Sequence, residues 1–406
     1  MRDPLGGSVY RIATAVLALT VPTATLASQV PEPHRRDSAG IEVVLTDLTD
    51  RTSVPHCTIG RNPVLTIGHN APDSRYELFQ VEDARRLSDG RLAVLNRGSQ
   101  EIRVFDAASG FQFNMGSDGE GPGEFRDPIE IDAIGLDTTV VFDWRLGRLS
   151  FFDPNGSYSR SVRLEPFGAN PTGYFDAVTN GSYFIIGFHT VAPLQGSSFD
   201  PEYLNLIRYD SQGQVVDTAA MLPYGRRGWI DRQARMAGGP VFQARGVFAA
   251  NERGLLTANG ADPEIQMRGE AGDIRRIIRW TTPDRRVTEA EIRRYRQDRL
   301  ARATSDDARS RVLRTLDVLP FARVFPSVRQ VFLSDNGDIW VNTFPRPAAV
   351  TSEWLRFGGT GGFVCVLAIP LNMKVFQFND NFLVALLRDD MDIEAVAVFQ
   401  VFPSDA

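Results

Sequence analysis

Asp127-Pro128-Ile129-Glu130-Ile131-Asp132 turns and continues as Thr139-Val140-Val141-Phe142-Asp143. It then crosses Trp144-Arg145-Leu146-Gly147 and returns as Arg148-Leu149-Ser150-Phe151-Phe152-Asp153 before the turn Pro154-Asn155-Gly156. Apolar residues alternate along each run, the period of a strand with one buried face, and the turn residues between runs mark two successive hairpins. The first hairpin recurs through the chain. Its turns carry Asp89-Gly90, Asp137, Asn180-Gly181, Asn251 with Gly254, Asn336-Gly337 and Asp380-Asn381. Asp, Asn and Gly dominate because tight turns need residues that tolerate positive φ.

The second hairpin recurs with the first, from Asp106 to Gly110, Asp153 to Gly156, Asp210 to Gly213, Met267 to Gly272 and Phe357 to Gly362. Self-similarity at roughly 40–50 residues, with about four strands per repeat, is the pattern of propeller blades. The sixth copy supplies its third strand from Ile393 to Phe402 and no fourth, which would expose a sheet edge. Pro63-Val64-Leu65-Thr66-Ile67-Gly68, just before the first full unit, is the candidate for that missing strand. The expected fold is all-β, a six-bladed β-propeller over 61–406 closed by an N-terminal strand, with 28–60 as a linker.

One segment breaks the pattern. Thr288 with Glu291 forms a capping box and Ser305-Asp306-Asp307 a second helix start, so a two-helix insertion is predicted within 285–318. Its apolar stripe of Ile292, Tyr295, Val312, Leu313 and Leu316 is sparse, which places the helices on a surface.

The 406 residues carry a net charge of −6, and Lys374 is the only lysine among 44 basic residues. That balance gives no general field for nucleic acid or anionic lipid, and it discounts arginine-rich stretches as functional signals. Arg2 and Arg11 precede and enter a small apolar run that ends at Thr25-Leu26-Ala27, so residues 1–27 read as a signal peptide cleaved after Ala27. The mature chain is expected outside the cytoplasm, periplasmic or secreted, with no membrane span. Cys57 and Cys365 are an even pair in an oxidising compartment. They are a candidate disulfide, and Cys365 reads equally well as a small buried apolar residue.

The loop Gly116-Ser117-Asp118-Gly119-Glu120-Gly121-Pro122-Gly123-Glu124-Phe125-Arg126-Asp127-Pro128 resembles the glycine-rich connection of NHL-type six-bladed propellers. Asp143, Arg148 and the strand through Phe151-Phe152-Asp153 are similar to that family's second hairpin. The chain also looks like the broad TolB-like and generic exported bacterial propellers. The resemblance is good in the first two units, fair in the fifth and weak elsewhere. It implies the fold, and an activity only as a class, because these propellers share architecture without sharing chemistry.

Propeller ligands meet the face built by the loops between second and third strands and by the connections between blades. That face collects Asn96, Arg97, Asp143, Trp144, Arg145, His189, Asn259, Asp262, Arg346, Arg388 and Asp389. Arg97, Asp143, Trp144, Arg145, His189, Asp262, Arg346 and Arg388 are the candidate ligand-binding residues. Each has a plainer reading; Asp143 and Arg148 in particular suit a structural tie. Of four histidines, His34, His56 and His69 lie near the chain start, which argues against a multi-histidine zinc site. Glu77, Glu82, Asp132 and Asp176 are available oxygen ligands for calcium, but no spacing selects them. No nucleophile elbow occurs. The expectation is a monomeric, non-enzymatic binding module without cofactor, recognising a peptide, glycan or protein partner. The alternative is a lactonase-like, divalent-metal hydrolase or lyase at the channel mouth.

Overall fold

The structure, a computed structural model, describes residues 30–403 except 69–72, 136, 168–170, 180–182, 191–198 and 232–235, with only the backbone of 171–179, 190 and 231. The proposed leader, His69, the turn at Asn180-Gly181 and the side chain of Asp176 therefore lie outside the described residues.

The N-terminal segment carries four strands, β1 (His34–Ser38), β2 (Ile41–Thr46), β3 (His56–Ile59) and β4 (Leu65–Gly68). The repeated hairpins follow as meanders: β5 (Val81–Arg86), β6 (Leu92–Asn96), β7 (Glu101–Phe105) and β8 (Phe111–Met115), then β9 (Pro128–Ile134), β10 (Thr138–Asp143), β11 (Arg148–Phe152) and β12 (Tyr158–Arg163). Next come β13 (Pro171–Thr179), β14 (Phe184–Thr190), β15 (Asp200–Tyr209), β16 (Val215–Asp231) and the short β17 (Met236–Gly238). The fourth meander is β18 (Val247–Asn251), β19 (Gly254–Ala258), β20 (Glu264–Arg268) and β21 (Ile274–Trp280). Helices α1 (Glu289–Ala301) and α2 (Asp306–Val318) then interrupt. The chain ends with β22 (Gln330–Leu333), β23 (Ile339–Asn342), β24 (Thr351–Phe357), β25 (Phe363–Pro370), β26 (Lys374–Phe378), β27 (Phe382–Arg388) and β28 (Glu394–Phe402).

Within each meander the strands pair antiparallel in chain order. Their first strands are successive neighbours, β5 against β9, β9 against β13, then β18, β22 and β26, and β26 lies against β5 again. The architecture is a β-propeller. Its core is divided among the interfaces between sheets. Leu95, Ile102 and Val104 meet Ile131, Val141 and Phe152 at one, and Val140, Phe142 and Leu149 meet Phe184, Ile186 and Ile207 at the next. Each such side chain contributes about 1.5–3 kcal/mol on burial.

The recurring aspartates have a structural cause. Asp106 Oδ1 accepts from the amides of Ala108 (2.9 Å) and Gly110 (2.8 Å). Asp153 does the same for Asn155 and Ser157, and Asp210 for Gln212 and Gln214. A short carboxylate bonding the backbone two and four residues on pins the second hairpin's turn.

The segment 28–60, read from sequence as a linker, carries three of the strands. β2 runs parallel along β21, pairing Val43 with Ile277 and Val44 with Ile278, and β1 folds back outside it. β3 lies parallel to β25, with Cys57 opposite Leu367, and also pairs antiparallel with the end of β28 through Val401 and Ile59. Cys57 is disulfide-bonded to Cys365 at a Cα separation of 5.6 Å. β4 pairs antiparallel with β28, Leu65 with Val398 and Ile67 with Val396, and both Leu65 and Ile67 are buried. At its end Gly68 has φ +99, and a Cβ there would stand 2.6 Å from the Glu394 carbonyl oxygen. Only glycine fits so close an approach.

The helices carry the expected caps: Thr288 and Glu291 close the reciprocal box, and Ser305 accepts from the Ala308 amide. α1 buries no residue and α2 only Leu316. The insertion leaves and rejoins the sheets through neighbouring residues, the Val287 amide bonding the Arg323 carbonyl at 2.9 Å. No helix among the described residues is long and apolar enough to cross a membrane.

Candidate functional site

Three of the eight sequence-predicted residues turn their polar groups into the scaffold. Asp143 is fully buried, and its carboxylate accepts from the amides of Arg126 (2.7 Å), Leu146 (2.9 Å) and Asp127 (3.2 Å). Arg148, its register partner, donates to the carbonyls of Gly121 (2.6 Å) and Glu124 (2.7 Å). The pair thus grips the glycine-rich loop by its amides on one side and its carbonyls on the other. The loop's crossing is tight enough that a Cβ on Gly116, at φ +77, would come within 2.0 Å of the buried Phe125 ring. Arg388 pairs with Glu394 at 2.7 Å, and the other Glu394 oxygen accepts from the Val81 amide, which links the last meander to the first. Arg346 ties the insertion down, 2.9 Å from Glu291 and stacked over Phe325 at 5.2 Å.

The other five scatter. Arg97 pairs with Asp127 at 2.6 Å and approaches Glu82 at 3.9 Å. Trp144 packs half-buried against the core between β9–β12 and β13–β16. Arg145 and Asp262 are exposed, Asp262 accepting from Asn259 at 2.7 Å. His189 belongs to a cluster of its own, described below.

Along the axis, β5, β9, β18, β22 and β26 line a channel cavity of about 390 Å³. Its charges are largely matched: Arg85 lies 2.7 Å from Asp132, and Lys374 is 3.7 Å from Glu82 and donates to its carbonyl. Asp83 is half-buried with its carboxylate accepting from the Ile131 and Ala84 amides, and desolvation raises its pKa to about 6 against the opposing pull of those bonds. Among the described residues no three His, Cys, Asp or Glu side chains are grouped to hold a metal ion.

A second cavity, of about 490 Å³, opens on the loop-rich face over the beginnings of β18 and β22. Its walls come from the connections that lead into those strands, Pro240 to Gly246 and Pro326 to Arg329, with Tyr224 and Phe344 at the sides. Phe242 is the floor's anchor. Its ring meets Phe325 at 4.8 Å, Phe344 at 5.9 Å and Tyr295 of α1 at 5.2 Å, so the insertion buttresses the cleft from outside. Behind Tyr224 stands His189, ring centroids 4.4 Å apart, with its Nε2 3.2 Å from Glu202. Burial lowers the His189 pKa and the Glu202 carboxylate pulls it back up. Arg245 lies over the outer face of Tyr224 at 5.0 Å, its guanidinium reaching the phenol oxygen at 3.4 Å. Burial lifts the Tyr224 pKa.

Of the eight predicted residues, only His189 adjoins this cleft. Arg245 and Arg329, its two charged lining residues, went unselected. Arg245 lies two residues and Arg329 one residue ahead of an inner strand, in connections whose sequence has no period to mark them.

Comparison with known proteins bears on the fold. No known family model matches the sequence, and no curated protein matches it. Among solved structures, a member of the DUF4221 family from Bacteroides vulgatus aligns at a TM-score of 0.52 with 9% identity, over 86% of this chain and 99% of that one. That likeness shows a shared fold. A putative exported protein from Bacteroides fragilis aligns at 0.47 with 11% identity, over 89% and 100%. Virginiamycin B lyase from Staphylococcus aureus aligns at 0.37 with 9% identity, over 83% and 99%.

Proposed function

We propose that this is an exported, monomeric, six-bladed β-propeller whose last blade is completed by β4, and that it acts as a non-catalytic binding module through its loop-rich face. The blade count is supported by the cyclic succession of first strands, and the closure by the pairing of Leu65 with Val398 and Ile67 with Val396. Within the propellers, the NHL-type reading rests on the glycine-rich loop and its grip by Asp143 and Arg148. Export rests on residues 1–27, and N-terminal sequencing of the exported chain should begin at Ser28.

The cleft of about 490 Å³ carries the functional reading: it is concave and sets aromatic and aliphatic side chains beside nearly as much polar surface, an arrangement that can fix and orient a small ligand. Native mass spectrometry of the exported chain tests it. A bound mass present on the natural chain and absent from Val247→Trp, which fills the cleft, is the expected result. Equal adducts on both chains, or a stoichiometric divalent metal by elemental analysis, would overturn the reading.

A further inference from the structure

Resting on that reading, we propose that the cleft takes a carboxylate carried on an apolar or aromatic body. Among the described residues the lining has two charged side chains, Arg245 and Arg329, both exposed guanidiniums, and no carboxylate. Other arginines that border the channel or this face do pair with acids, as at Arg85 with Asp132, Arg97 with Asp127 and Arg388 with Glu394. Among the described residues neither Arg245 nor Arg329 has a carboxylate partner, in a chain whose net charge is −6. Two such groups facing one cavity leave a local positive field and planar forks of N–H donors, one of them already directed at Tyr224, in a geometry suited to carboxylate oxygens.

The rest of the wall sets the ligand's body. Phe242, Phe344, Pro240, Pro326, Val247 and Val328 offer rings and aliphatic faces without a charge. A small inorganic anion would leave that surface wet, and a neutral hydrocarbon would leave the guanidiniums unused. Tyr224 holds Arg245 in place at the border of the two zones, and is itself packed on His189, which Glu202 orients from behind. The Glu202 side chain is 10% exposed, and among the described residues its Oε1 has no hydrogen-bond partner. It lies outside the cleft lining, so the anion meets the guanidinium side of Tyr224.

A free organic acid and the C-terminus of a peptide present the same chemistry. Calorimetric titration of the full mature chain separates them with two matched pairs: naphthalene-2-carboxylate against its carboxamide, and a hexapeptide ending in Phe against its C-terminal amide. At least one acid should bind one-to-one and about ten-fold or more tighter than its amide, the step expected for a charge-assisted contact. Whichever acid does so identifies the source. Arg245→Met and Arg329→Met should each weaken that acid by about five-fold or more, with the melting profile and amide binding unchanged, and Arg245→Lys should restore part of the loss. Failure of both acids to bind, or acid affinity indifferent to both substitutions, overturns the proposal. Acid and amide binding equally, and both lost in Val247→Trp, would overturn the anion preference and leave the binding-module reading standing.

Discussion

Residues 34–68 and residues 289–318 both lie outside the repeated hairpins, but they are attached to the propeller in opposite ways. The first segment is bonded strand by strand to β21, β25 and β28 and is stapled by Cys57 to Cys365. Among the described residues the second buries a single leucine, and reaches the rest of the molecule mainly through side chains: an aromatic cluster around Phe242, the ion pair at Arg346 and a hydrogen bond from Thr315 to the Met236 sulfur of β17. Backbone ladders continue a sheet, whereas side-chain contacts only lean on it. The N-terminal segment therefore acts as part of the scaffold, and the helices act as furniture of the cleft.

The sharpest way to break this contrast is to delete residues 61–70. β28 then loses its outer neighbour, and Leu65 and Ile67 lose burial of about 1.5–3 kcal/mol each. Cooperative thermal unfolding, followed by near-ultraviolet circular dichroism, should disappear; a native-like melt would show that β4 is dispensable. A smaller effect is expected from replacing Cys57 and Cys365 together by Ser. The disulfide spans a sequence separation of 308, and its loss should lower the unfolding free energy by up to about 5 kcal/mol in urea titrations. An unchanged midpoint would mean that hydrogen bonding alone holds the segment. The smallest effect belongs to replacing 289–318 with a short Gly/Ser linker, which the neighbouring Val287 and Arg323 make easy to span. The ring should still melt cooperatively, having lost roughly 1–3 kcal/mol with Leu316 and Tyr295. Collapse of that variant would move the helices into the core.

The same contrast separates what was legible in the sequence from what was not. Hairpins announce themselves locally, because Asp, Asn and Gly must occupy the turns; the capping box at Thr288 and Glu291 is local in the same sense. β4 could be found from the alternation through Leu65 and Ile67 and from the gap it would fill. β1, β2 and β3 were not: β2 and β3 pair in parallel with strands far along the chain, the turn at Ala39-Gly40 that joins β1 to β2 lies outside the repeat, and Ile41-Glu42-Val43-Val44-Leu45-Thr46 lacks clean alternation. The site was legible only to the level of a face. Position along a strand tells which end of the propeller a residue occupies, yet Asp143, Arg346 and Arg388 occupy that end and bond inward. Arg245 and Arg329 sit in aperiodic connections, where pattern carries no information about what a side chain meets.

The pairing of Leu65 with Val398 also sets a timetable. A ribosome adding roughly 5–20 residues per second makes β4 about 15–65 s before its partner strand exists. Throughout that interval β4 is an orphan, with the edge it will give to β28 unpaired. That pairing can form only once β28 has been made, and whatever shelters the growing chain must keep β4 available until then.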